Sequence, residues 1–110
     1  MRNTELIKGS TNIILLSLLS KKEMYGYEMT VKVREISDGY LSYKEGTIYP
    51  ALKRLELLNL VESNWQNSVD GPKRKYYKVT EKGRKILEEQ KNEWNLFQKA
   101  MNQLVRFAYV

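Results

Sequence analysis

The order of apolar and polar positions divides the chain into four helical stretches and one hairpin. Residues 5–20 predict a first helix. From Ile13 onward Ile13, Ile14, Leu15, Leu16, Leu18 and Leu19 cover nearly its whole circumference, after Leu6 and Ile7. A helix apolar on all sides is buried on more than one. One side is expected to meet its own domain and another a partner. Gly9-Ser10 lowers helix propensity and leaves the start open. A second helix opens at Tyr25-Gly26-Tyr27 and runs to about Ser37. Met29, Val33 and Ile36 lie at i, i+4 and i+7 as its inward stripe. Asp38-Gly39 is a turn signal, and Tyr40–Tyr43 reads as a short extended piece.

A third helix is predicted from Glu45 or Gly46 to about Leu58. Ile48, Leu52 and Leu55 share one face. Gly46, Pro50, Lys53 and Leu57 take the opposite face, with Arg54 beside them. Pro50 lacks an N–H and is tolerated near a helix start. The first turn, with Thr47, Tyr49 and free N–H groups, suits phosphate. Alone, this stretch reads more readily as a surface helix with a solvated basic pair. Two helices joined by a short turn, the second one basic, form the helix-turn-helix pattern.

The next apolar positions alternate. Val61, Ser63 and Trp65 fall on one side of a strand, and Arg74–Val79 is a second β-prone run. Asn67–Pro72 between them is dense in turn residues. Lys73, Arg74 and Lys75 cluster beside the tip. Such a cluster can simply guard a sheet edge. Directly after a helix-turn-helix it reads as a wing straddling DNA backbone.

Thr80 is a good N-cap for a last helix over about residues 81–106. Leu87, Trp94, Met101 and Ala108 are seven apart, with Gln90, Phe97 and Leu104 as the companion row. This is a heptad-like seam. A helix of ~26 residues is about 39 Å long, against a domain diameter of about 26 Å for this chain length. Its far half must project, and a projecting apolar seam calls for a second copy. Leu87, Trp94, Phe97, Met101 and Leu104 are the expected dimerisation residues. The fold class is therefore mostly α with a small β-hairpin. Residues 1–80 are expected to form a winged helix-turn-helix DNA-binding domain, and residues 81–110 a long C-terminal dimerisation helix.

Charge sharpens this picture. The net charge is +6. Residues 44–85 hold ten Lys/Arg against five Asp/Glu, so +5 of it lies around the third helix and the hairpin. A local basic excess points to a polyanion, nucleic acid before membrane. The candidate DNA contacts are Gly46, Thr47, Tyr49, Pro50, Lys53 and Arg54 on the helix, and Lys73, Arg74 and Lys75 on the wing. The chain has 110 residues, enough for one modest core, with 42% apolar and 29% charged residues. With no Cys and no His, disulfides, the usual zinc sites and His-based catalysis are excluded. No nucleotide fingerprint, triad or metal cluster appears, so neither enzyme activity nor cofactor is expected. No apolar run approaches the ~20 residues of a membrane span, and no signal peptide follows Met1. A cytoplasmic location fits.

The chain resembles the PadR family of bacterial transcriptional regulators. The resemblance rests on Ile14-Leu15-Leu16 with Leu19, Tyr25-Gly26-Tyr27-Glu28, the run Gly46-Thr47-Ile48-Tyr49-Pro50-Ala51-Leu52-Lys53-Arg54-Leu55, and Arg74-Lys75-Tyr76-Tyr77 leading into Thr80-Glu81-Lys82-Gly83. It covers about residues 12–105. It implies a winged helix-turn-helix homodimer, built through first and last helices, that represses target genes at inverted-repeat DNA. Within the short branch, which has a single C-terminal helix, the chain is similar to multidrug-sensing repressors. Their last-helix tryptophan corresponds to Trp94, and Asn12–Leu16 and Trp65 also match. That likeness implies a site for planar hydrophobic compounds between two tryptophans, lined by Leu6, Gly9, Ile13, Trp94, Phe97 and Met101. Phe97 has the bulk to fill such a cavity. The competing class is a winged-helix adaptor that binds protein without DNA. A membrane-surface adaptor is weaker still, since no basic helix carries bulky apolar anchors.

Overall fold

The computed structural model describes the backbone of residues 4–110 and the side chains of residues 10–110. The elements run α1 (Thr4–Leu19), β1 (Met24–Tyr25), α2 (Gly26–Ile36), α3 (Glu45–Leu57), β2 (Val61–Ser68), β3 (Gly71–Val79) and α4 (Glu81–Ala108). The three strands form one antiparallel sheet in the order β1-β3-β2. Helices plus this small sheet make a winged helix-turn-helix, as the apolar pattern requires.

One core joins all the helices and the sheet. Leu15, Leu16, Leu19, Met29, Ile48, Leu52, Leu55 and Val61 are its fully buried large side chains. The sheet seals one side with Tyr77 and Val79. Fully burying one such aliphatic side chain contributes roughly 1.5–3 kcal/mol. Leu15, Leu16, Leu18 and Leu19 are all buried, with Ile13 and Ile14 half-buried against the core. The all-round apolar character of this half of α1 is thus largely met within the one chain.

Four local expectations change. Ile36 is 71% exposed, because the stripe leaves the core after Val33, in the last turn of α2. Residues 40–43 form no strand. Tyr43 instead buries its ring, and its hydroxyl lies 3.2 Å from Thr11 Oγ1 on α1. Pro50 is the sixth residue of α3, past the first turn. The residue four positions back is Gly46, which is exposed, so the carbonyl that loses its donor faces water. The hairpin turn is narrower than the Asn67–Pro72 cluster, with Ser68 paired to Gly71. The two-residue β1 carries too short a pattern for periodicity to show.

The junction between α3, β2 and α4 is tightly tied. Asn59 adopts φ 62°, a left-handed conformation that Asn tolerates, and ends α3. The Leu60 N–H donates to Leu55 O at 2.9 Å. Thr80 caps α4 by accepting from the Gly83 N–H at 3.0 Å, while its hydroxyl donates to Asn59 O at 2.7 Å. Lys82 Nζ donates to Leu58 O at 3.1 Å. The start of α4 is therefore fixed to the end of α3. Gly83 and Leu87 are buried there, and every residue from Lys91 onward is exposed. The 28 residues of α4 span about 42 Å. The far half projects, and the molecule extends 58 × 31 × 20 Å.

Candidate nucleic-acid interface

The α3 helix divides as its sequence dictates. Ile48, Ala51, Leu52 and Leu55 are buried; Gly46, Thr47, Tyr49, Pro50, Lys53 and Arg54 are exposed. Facing it across an open groove stands the wing. The groove has a volume of about 530 Å³ and brings Tyr49 and Lys53 of α3 together with Lys73, Arg74 and Lys75 of β3. Gly46, Thr47, Pro50 and Arg54 lie on the same exposed helix but outside this groove.

Aromatic rings restrain the wing cations. Lys75 pairs across the strands with Trp65, and its Nζ lies 6.0 Å from the Trp65 ring centre and 5.7 Å from that of Tyr77. The Arg74 guanidinium sits 4.6 Å over the Tyr25 ring, which meets Tyr76 edge to face at 5.4 Å. Cation–π contacts of this kind contribute about 0.5–1 kcal/mol when exposed. Their larger effect is to fix the direction of two flexible cations.

Tyr25, Glu56, Trp65 and Tyr77 complete the groove, and none of them was among the expected contacts. Trp65 and Tyr77 were within reach of the sequence, since a hairpin register that pairs 65 with 75 puts them beside Lys75. Glu56 was legible too, three residues after Lys53 and seven after Tyr49 on one face of α3; Tyr25 is brought in by tertiary packing alone. Glu56 Oε2 accepts from Ser63 Oγ at 2.6 Å, tying α3 to β2. Tyr49 packs its ring on Gly26, where an added Cβ would meet two ring carbons and the hydroxyl oxygen at 2.6 Å. Its hydroxyl donates to Glu45 Oε1 at 3.3 Å. Burial first, then the Glu45 charge, raises the Tyr49 pKa above its ordinary value. Burial, then Glu56, does the same for Tyr77. Both phenols stay protonated at neutral pH and remain hydrogen-bond donors.

On the projecting half of α4, Trp94, Phe97, Met101, Leu104 and Val105 form an exposed row, while Leu96 and Phe107 are exposed on the opposite face. The Trp94 and Phe97 rings stack at 6.0 Å with 30° between planes. Leu87, expected to begin this seam, is only 6% exposed. It is held in the chain's own core, because the first turns of α4 pack on α1 and the sheet. Ile13 is half-buried against the same core. The side chains of Leu6 and Gly9 lie outside the described residues. Among the described residues no cluster of acids is placed to hold a metal ion, and no helix is long and apolar enough to cross a membrane.

The model of the transcriptional regulator PadR-like family matches residues 15–89. The chain belongs to this family. A transcriptional regulator from Clostridium thermocellum superposes with a TM-score of 0.85 at 32% identity, over 94% of this chain and 97% of that one. A PadR family transcription regulator from Clostridium difficile is 43% identical, with a TM-score of 0.77 over 87% and 98% of the two chains. Bacillus subtilis PadR, solved in complex with operator DNA, is 28% identical with a TM-score of 0.66, over 72% of this chain and 45% of that one. Members of the PadR-like family are transcriptional regulators and not enzymes. The groove between α3 and the wing thus belongs to a regulator's fold.

Proposed function

We propose that this PadR-like chain is a dimeric, sequence-specific DNA-binding repressor, released from its operator by a planar hydrophobic compound. The observation that carries the DNA reading is the single groove in which Lys53 of α3 faces Lys73, Arg74 and Lys75 of the wing. Similarity to a PadR solved with operator DNA supports it. Thr47, Tyr49 and Lys53 take the major groove, Arg54 lies nearer the backbone, and the wing cations meet phosphate. Two-fold symmetry of the protein then requires inverted half-sites. Mobility shift against the DNA upstream of the chain's own coding region tests this directly.

Salt dependence separates DNA from protein as the partner. The exposed rings of Trp65 and Tyr49 in the groove favour a protein-binding adaptor. The four cations around them favour polyanion. Binding to DNA is expected to weaken steeply with salt, and Lys75→Ala should lower the logarithmic slope by roughly one unit. Lys53→Ala is expected to change which sequence is preferred. A slope near zero would return the adaptor reading.

The proposed ligand site is the Trp94 row. Phe97 already stacks against the Trp94 ring, and a heptad seam ordinarily takes Leu or Ile where Trp94 stands. In a dimer two such rings wall a slot for flat, apolar, including cationic, compounds. Flexible Met101 adapts it to different shapes. Because α4 is tied to α3 at Thr80 and Lys82, a change of angle between protomers moves the recognition helices. Release requires the ligand to favour the spacing that does not fit DNA, and DNA then weakens ligand binding equally. In a Trp65→Phe background, planar dyes are expected to quench Trp94 emission and to lower operator affinity together. Unchanged emission and affinity across such a panel would remove the ligand from the reading.

A further inference from the structure

The tip of the wing carries an almost fully exposed apolar side chain. Val69 is 99% exposed at the hairpin tip, beside Asp70. Turn positions usually hold residues that adopt special backbone angles or hydrogen-bond the turn. A β-branched apolar residue does neither, and the fold gives Val69 almost no packing. A broken local rule with no gain inside the fold points to a contact outside it. The tip is also stiff. Ser68 pairs with Gly71, and Ser68 Oγ donates to Pro72 O at 2.8 Å. The register passes from Gln66↔Arg74 to Ser68↔Gly71, so Pro72 and Lys73 oppose Asn67 alone. Such a bulge twists the hairpin and re-aims its end.

The next step rests on the DNA-binding reading above. With α3 in a major groove, the adjacent minor groove lies half a helical turn away, about 17 Å. Strands of eight and nine residues extend the hairpin by roughly 26 Å, far enough to bring the tip there. Lys73 and Arg74 stand just behind the tip, where phosphates flanking that groove pass. A·T pairs show only acceptors on the minor-groove floor, whereas G·C adds the guanine N2 amino donor. Val69 has no acceptor for that amino group and would bury it unpaired. The Asp70 carboxylate would accept from it, but there it meets two rows of phosphate charge.

We propose that Val69 makes each wing reject G·C at the minor-groove step beneath its tip, so that the operator carries A·T pairs outside both recognition half-sites. The test is selection from a randomised duplex library, followed by replacement of the selected flanking A·T pairs with G·C or inosine·C. Inosine·C keeps the major-groove edge of G·C but lacks the minor-groove amino group. G·C is expected to weaken binding roughly tenfold, inosine·C to restore it, and Val69→Ser to abolish the discrimination with an unchanged melting temperature. Inosine·C as poor as G·C, or discrimination surviving in Val69→Ser, overturns the proposal. So does selection of flanking G·C that Asp70→Asn abolishes. A strong site with no flanking preference overturns the role of Val69 and leaves DNA binding standing. If no duplex is bound above the bulk, the DNA reading falls and this inference falls with it.

Discussion

Gly83→Ala is expected to destabilise the fold by about 3 kcal/mol or more, at the upper end for overpacking. In an exposed helix the same change stabilises by up to ~1 kcal/mol. Here the sign reverses because the helix start has no room. A Cβ at Gly83 would lie 2.1 Å from Leu60 O, 3.0 Å from Leu60 C and 2.7 Å from Val79 Cγ2. Two of these are backbone atoms, which do not swing aside. Moving the Leu60 carbonyl also strains the bond it accepts from the Thr80 N–H at 3.0 Å. Against a typical total of about 5–15 kcal/mol, the loss is large. Urea unfolding should show a lower midpoint with an unchanged slope. Gly46→Ala is the control, since nothing lies within 4 Å of its added Cβ. Equal midpoints for the Gly83 variant and the wild type would refute the packing argument.

Leu104→Asp is expected to split the proposed dimer while leaving each protomer folded. Leu104 is 65% exposed on the projecting half of α4, so no contact inside the protomer depends on it. A carboxylate placed in an apolar seam between two copies meets no partner and a like charge across the axis. Sedimentation at micromolar concentration should report monomers with unchanged helical content. Operator affinity should fall by a factor on the order of 10²–10⁴, because the second half-site is no longer held at high local concentration. Leu87→Ala makes the contrast. It removes a buried core side chain and should cost the protomer about 2–5 kcal/mol. A stable dimer surviving Leu104→Asp would place the interface elsewhere.

The apolar spacing by itself determined the helices and the hairpin, because periods of 3.6 and 2 are properties of local backbone geometry. It also determined which face of α3 is buried and where Thr80 caps α4. The family resemblance was equally legible, carried by the run from Gly46 to Leu55. Burial at the ends of elements was not. Ile36 and Leu87 both continue an apolar row, yet one faces water and the other fills the core, since periodicity does not say where the neighbouring element stops. The groove has the same origin. Lys53 and the wing cations were visible as local charge, with Glu56 one turn from Lys53 on the same helix, whereas Tyr25 joined them only when β1 paired with β3. Gly83 is the sharpest case. In the sequence it is a weak helix former near a cap. Only the packed junction shows that the Leu60 carbonyl occupies the space of any larger side chain, because exclusion is set by atoms more than twenty residues away in the chain.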